Sequence, residues 1–273
     1  MCSKGIDGVE LSQVAPTAIH HHFSKIASRY RNLRITDLEP IAFVVRELED
    51  LGRVEAADIG CGAGRYDLLL CKFLGDKLSL ACVDANADML GALDTHLKER
   101  DVSNFMTVNS KAERLPFPSG TLDCVCTFNA VHHFNLPDFL QESARILKNG
   151  GYLFIYTRLQ EQNKRNIWGQ YFPEFYRKEA RLYELDTFKQ AVAAVPALWI
   201  KSIEYFKYGR IATLEQLVER AKAHHYSTFW LYSPKELEEA ITGFAQNVKR
   251  NFKDDHQLDW FDENIMFVLR KGD

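Results

Sequence analysis

Residues 54–65, VEAADIGCGAGR, decide how the rest of the chain is read. A short apolar run closes on Asp58 and Ile59, glycines follow at positions 60, 62 and 64, and Tyr66 to Leu74 is amphipathic. The order is strand, tight turn, helix. Glycines at alternate positions let a ligand approach the backbone closely, and the helix that follows aims its first N–H groups at that ligand. Two features narrow the ligand. Arg65 stands where a dinucleotide-binding G-x-G-x-x-G turn needs its third glycine. Asp58, two residues before the first glycine, suits by charge sign a ligand with an ammonium group better than one with a pyrophosphate. No Gly-Lys-Ser/Thr sequel follows, which excludes a P-loop.

Working outward, strands and helices alternate. Strand one, Val54–Ile59, is followed by a helix over Arg65–Leu74. Strand two, Leu78–Val83, ends on Asp84, and a helix runs over Ala87–Lys98. Phe105–Val108 and Leu122–Phe128 are the next strands, with a helix over Asp138–Leu147. Gly150 and Gly151 turn into Tyr152–Thr157. Alternation at these lengths implies parallel strands joined by right-handed crossovers, with both faces of the sheet covered. Upstream, Pro40 opens a helix whose apolar face is Ile41, Val44, Val45 and Leu48. Ile19–Arg34 carries a helical pattern with Tyr30 on its apolar face, and residues 1–17 read as a loose tail.

After Arg158 the pattern changes. Residues 159–195 are aromatic and charged and predict two or three helices; Leu198–Phe206 and Asn264–Arg270 read as strands. Thr213-Leu-Glu-Gln216 and Ser233-Pro-Lys-Glu236 are capping boxes that open helices to about His224 and Phe252. The fold expected is α/β: a Rossmann-like, seven-stranded, mostly parallel sheet with helices on both faces, the last strand antiparallel, plus a helical cap. Within one structural domain we expect an N-terminal tail and lid helices (1–45), a cofactor-binding core (46–158), and a last part (159–273) whose helical insertions cap the substrate.

Composition bounds the function. The chain has 273 residues, 46% hydrophobic and 26% charged, with a formal net charge of −3, so no basic footprint argues for nucleic acid. No apolar run is long enough to span a membrane, and the opening MCSKGIDGVELSQ lacks a basic segment followed by an apolar one, so a cytoplasmic protein is expected. The six cysteines include no C-x-x-C pair and no zinc spacing, and His20, His21 and His22 point in different directions on a helix, so no metal site is expected. Cys124 and Cys126 alternate along a strand and should share a face.

The motifs together resemble class I S-adenosylmethionine-dependent methyltransferases, in particular the small-molecule group that includes ubiquinone- and menaquinone-biosynthesis enzymes. ADIGCGAGR matches that family's first motif, VDANADML (83–90) the second, NSKAERLPFPSGTLDCVCTFNAVHHF (109–134) the third and fourth, and ARILKNGGYLFI (144–155) the turn before strand five. The resemblance is strong over 54–157, weaker over 19–45, and beyond 158 confined to layout. It implies S-adenosyl-L-methionine as cofactor and S-adenosyl-L-homocysteine as product. It places Gly60, Cys61, Gly62 and Gly64 around the methionine end, with Asp58 below the loop ordering it. Asp84 falls on the ribose hydroxyls, and Ala85, Asn86 and Met89 near the adenosine.

In the third motif the family usually carries an acid just before Ala-Glu, on the adenine amino group. Lys111 stands there, with no acceptor at its end. Adenine recognition then rests on the backbone at Ala112, on Ser110 or on Glu113. Asn129 is a candidate cofactor contact, and His132 and His133 are candidates for positioning the substrate or accepting its proton. Tyr30 is a candidate for closing over the cofactor. Arg158 and Arg165 could hold a carboxylate or phosphate on the substrate, and the aromatic stretch 168–188 and the Tyr226–Tyr232 loop could line its pocket.

The reaction implied is in-line methyl transfer to a small-molecule acceptor, with no nucleic acid partner. The acceptor's identity and the oligomeric state are not legible. A catalytically inactive cofactor-binding regulator keeps the fold, with Lys111 in its favour. An aminopropyltransferase would want an acidic pair in the loop that reads NAVHHF, and a base methyltransferase an N-P-P-Y-like tetrad there. A dehydrogenase is disfavoured by Arg65 and Asp58.

Overall fold

The computed structural model describes residues 36–272; Tyr30, the helical pattern at 19–34, the three histidines at 20–22 and the tail lie outside them. The described residues form one seven-stranded sheet. Its strands are β1 (Val54–Ile59), β2 (Leu78–Asp84), β3 (Phe105–Asn109), β4 (Leu122–Phe128), β5 (Leu147–Thr157), β6 (Leu198–Ala212) and β7 (Leu258–Lys271). The order across the sheet is β3-β2-β1-β4-β5-β7-β6. The first five strands are parallel, and β7 runs antiparallel to both β5 and β6. This is the expected fold. The order reverses between β1 and β4, where open α/β sheets form their crevice at the carboxyl ends of the strands.

Side-chain alternation along β1 divides the core. Ala57 and Ile59 face one side with Leu136, Phe139 and Leu140 of α4 (Leu136–Ile146) and Phe188 and Val192 of α8 (Leu185–Ala193). Val54 and Ala56 face the other, packing with α1 (Glu39–Glu47), α2 (Asp67–Leu74) and α3 (Ala87–Lys98). Asp58 alternates onto this second face and is buried there. Cys124 and Cys126 do share a face, with sulfurs 3.4 Å apart in the core.

Beyond β5 the sequence reading needs two corrections. Residues 160–193 hold four helical segments rather than two or three: α5 (Gln160–Arg165), α6 (Ile167–Tyr171), α7 (Phe175–Lys178) and α8. Asn166 splits the first two, its side chain accepting from the Gly169 N–H at 2.8 Å as an N-cap. The last two strands are also much longer than Leu198–Phe206 and Asn264–Arg270. β7 pairs with β5 only from Ile265 onward, whereas β6 and β7 stay paired back to Ala212 and Leu258. Residues 206–212 and 258–264 therefore overhang the sheet as a two-stranded ribbon. Its polar residues (Lys207, Arg210, Asp262, Glu263) are unlike a sheet core, which hid it from the hydrophobic pattern.

The ribbon's end carries the cap. Ala212 and Leu258 are buried with α9 (Leu214–Lys222), α10 (Pro234–Asn251) and the aromatic side chains Trp168, Phe172, Phe175 and Phe229. Both capping boxes form as the sequence predicts. Most of the aromatic insertion is thus the cap's own core, and only part of it reaches a cavity.

Candidate functional site

The turn after β1 is held from below and from the side. The N–H groups of Gly60 and Cys61 both donate to the Val83 carbonyl at the end of β2, at 2.8 and 3.1 Å. Gly62 N–H donates to Asp84 Oδ2 at 2.9 Å, and Asn86 N–H to Asp84 Oδ1 at 2.8 Å. One carboxylate thereby fastens the glycine turn to the β2 edge. Asn86 is the N-cap of α3, its side chain accepting from the Asp88 and Met89 N–H groups. All three glycines have positive φ. At Gly60 a Cβ would stand 2.5 Å from the Ala130 Cβ, and at Gly64 it would stand 2.8 Å from Leu93 Cγ. Gly60 thus lets the β4 loop pack against the turn, and Gly64 lets α3 do so.

In front of this turn lies a cavity of about 290 Å³. Gly60, Cys61, Gly62, Asp84, Asn86 and Met89 line one side, with Ala85 beside them. Lys111, Ala112 and Glu113 line a second side, and Asn129 and His133 a third. Two of the candidate residues do not line this cavity. Gly64 faces Leu93, and Asp58 lies behind the turn, 1% exposed. The side chains suggested for adenine have partners of their own. Glu113 accepts from the Asn135 N–H at 2.9 Å, and the Ser110 hydroxyl donates to the Arg114 carbonyl at 2.7 Å. Lys111 is exposed at the rim. This leaves the backbone at 110–112 to meet a ligand. Sequence reasoning missed Tyr66, Phe128 and Phe134 on these walls; Tyr66 and Phe128 stack at 4.5 Å between centroids.

A second cavity, of about 280 Å³, shares Arg65, Tyr66 and Asn129 with the first. Asn129 stands at the junction in a left-handed conformation, φ 56°, a backbone state that non-glycine residues adopt at a cost. Three contacts hold it: its N–H donates to the Tyr156 carbonyl at 2.7 Å, its Oδ1 accepts from Asn264 at 3.2 Å, and its Nδ2 donates to the Tyr66 hydroxyl at 3.4 Å. The adjacent histidines part here. His132 lines the second cavity and His133 the first, their rings 4.1 Å apart.

The second cavity is walled by the cap and the overhanging ribbon. Arg210 makes a bidentate pair with Asp37 (2.7 and 2.8 Å) and reaches Asp262 at 3.2 Å, and Arg158 meets Asp262 at 3.2 Å. Burial raises the Asp37 pKa above its ordinary value, against the pull of Arg210. Trp168, Phe175, Tyr226 and Trp260 add apolar wall. Arg158, one of the two arginines the sequence offered, lines this cavity, while Arg165 pairs with Glu263 outside the lining. Of the two capped helices, α9 supplies Arg220 and α10 no lining residue. Asp37, Arg210 and Asp262 were missed because they come from three distant parts of the chain.

Behind the glycine turn, Asp58 and Asp67 form a buried acid pair. Burial raises both pKa values, and the neighbouring Asp67 charge raises Asp58's further; Asp67 is pushed up to about 7, against the pull of hydrogen bonds with Cys82 and Asp58. A hydrogen bond between the two carboxyls needs a proton on one of them, so the pair does not carry two charges at once.

Comparison with known proteins agrees with this architecture. Residues 57–155 match the family model for the methyltransferase domain. A Dictyostelium discoideum protein named as a methyltransferase is 30% identical over 142 residues, 52% of this chain and 51% of that protein, so the match spans about half of its length. The demethylmenaquinone methyltransferase of Listeria welshimeri is 26% identical over 181 residues, 61% of this chain and 72% of that enzyme. Among solved structures, a methyltransferase from an antibiotic biosynthesis pathway of Anabaena variabilis superposes with a TM-score of 0.65 at 18% identity, over 86% of this chain and 98% of that one. The resemblance to class I methyltransferases read from the motifs holds in sequence and in fold.

Proposed function

We propose that the chain transfers a methyl group from S-adenosylmethionine to a small molecule. The carrying observation is that two cavities meet at Arg65, Tyr66 and Asn129, one in front of the glycine turn and one walled by the cap. The residues of the first fit the cofactor. Positive-φ glycines bring the backbone to its wall, Met89, Ala112, Phe128 and Phe134 give the apolar surface an adenine wants, and Asp84 stands at the β2 edge to accept ribose hydroxyls. Arg65, at the junction, is the cation for the carboxylate of the amino-acid end. Asp58 acts from behind the turn, through the loop.

When bound, S-adenosylmethionine supplies a methyl group on a positively charged sulfur, already activated toward nucleophiles. The chain's own contribution is alignment and exclusion of water. Asn129 holds the junction, and His132 on the acceptor side can take the proton an acceptor hydroxyl or amine gives up. His133, on the cofactor side, orders the wall. The aminopropyltransferase alternative fits poorly, since the loop after β4 reads NAVHHF and carries no acidic pair to hold the cationic amine such an enzyme extends.

Calorimetry tests the reading. S-adenosylmethionine and S-adenosylhomocysteine should bind with micromolar affinity and a nicotinamide dinucleotide should not. Absence of binding by either sulfur ligand at millimolar concentration sinks it. A protein that binds both ligands, yet transfers no methyl group to any acceptor in a broad small-molecule screen, would instead be the inactive regulator.

A further inference from the structure

We propose that the molecule methylated in the second cavity is an anion, anchored through a carboxylate or phosphate group by Arg220; this deepens the methyl-transfer reading and rests on it for the term methylated. The charged groups of the cavity wall decide the sign. Arg158 and Arg210 are matched by Asp37 and Asp262 in a continuous chain of ion pairs. Glu179 is taken from behind by Arg181, bidentate at 2.7 and 2.6 Å, and by the Thr228 hydroxyl at 2.5 Å. The three wall carboxylates are thus each committed to an arginine. Arg65 belongs to the junction and serves the cofactor side. Arg220 is left, a cation on the cavity wall with no carboxylate partner among the described residues.

Arg220 is also placed to anchor a ligand. It sits in the last turn of α9, half-buried. Its carbonyl accepts the His225 N–H at 3.1 Å and faces the His225 ring nitrogen at 3.3 Å, which ties the helix end to the loop that carries Tyr226, Ser227 and Thr228 onto the same wall. A guanidinium held against a concave, partly apolar wall attracts an oxyanion more strongly than one in open water, because the wall lowers the local dielectric. The cavity volume of about 280 Å³ lies just below the ordinary range of ligand sites, roughly 300–1,000 Å³, and so suits a small acceptor. Trp168, Phe175, Tyr226 and Trp260 on the same lining suit a flat apolar body, which sets the choice of aromatic probes.

The test uses the full chain in calorimetry, first with S-adenosylhomocysteine and then, both at saturating S-adenosylhomocysteine and without it, with benzoate, phenyl phosphate, benzamide and benzylamine. At least one of the two anions should bind tenfold or more tightly than benzamide, with benzylamine weakest; which anion leads identifies carboxylate or phosphate as the anchored group. Arg220→Met should erase the preference, Arg220→Lys should retain part of it, and both variants should bind S-adenosylhomocysteine as the parent does. Neutral or cationic probes binding as tightly as both anions, or a preference that survives Arg220→Met, overturns the proposal. Failure of S-adenosylhomocysteine to bind would instead strike the methyl-transfer reading, while the anion preference stays measurable in its absence.

Discussion

Asp84 shows how one side chain can serve structure and ligand together. Its two oxygens accept from Gly62 and Asn86, and an ionised carboxylate has further lone pairs for two ribose hydroxyls. Losing charged hydrogen bonds of this kind costs about 1–3 kcal/mol. Asp84→Ala should therefore weaken S-adenosylhomocysteine binding by roughly tenfold to a hundredfold, measured by calorimetry; unchanged affinity would mean the ribose lies elsewhere. Asp84, Asn86 and Met89 were legible because a strand edge followed by a capped helix fixes them locally. Asp58 was read from charge sign as a direct partner of the ligand's ammonium, and from the motif resemblance as a residue below the loop. The alternation of β1 turns its side chain behind the turn toward Asp67, which leaves the second of these positions.

At the scale of elements, the β1–α2 turn and the loop after β4 are built to touch. Gly60 is the contact, and an added methyl would meet both the Ala130 Cβ and the Phe134 ring at 2.5 and 2.9 Å. Its φ of 74° adds strain for any L side chain. Gly60→Ala should cost about 2–4 kcal/mol, the sum of left-handed strain and overpacking. Thermal melts read the loss, and a variant as stable as the parent would show that the loop gives way. The same closeness brings His132 and His133 to the two cavities. From sequence the pair was one ambiguous dipeptide; the short 3₁₀ turn at Val131–His133 separates their directions.

For the whole molecule, the buried acid pair links stability to pH. Asp67 titrates near 7 in the folded protein, against about 3.9 for an unperturbed aspartate. As pH rises the unfolded chain releases this proton first, so the folded state holds more protons through that window. The contribution is complete below about pH 4 and is lost as pH climbs toward 7. Stability should fall across that range from this source. Asp67→Asn, uncharged and nearly isosteric, should flatten the fall, as read by denaturant melts at several pH values; an identical slope in parent and variant would exclude the pair as its origin.

Residues 54–157 determined the core by themselves, because there each strand, turn and helix is specified by neighbours close in sequence: an apolar run, alternate glycines, an N-cap. The first cavity lies between two such units, and most of the residues that line it were legible with them. The second cavity was decided only by the tertiary structure. Asp37, Arg158, Arg210 and Asp262 meet because β6 and β7 overhang the sheet as a ribbon and carry the cap above the strand ends. Pairing between strands distant in sequence leaves no local period to read, and an ion-pair network that closes across it is invisible until the chain is folded.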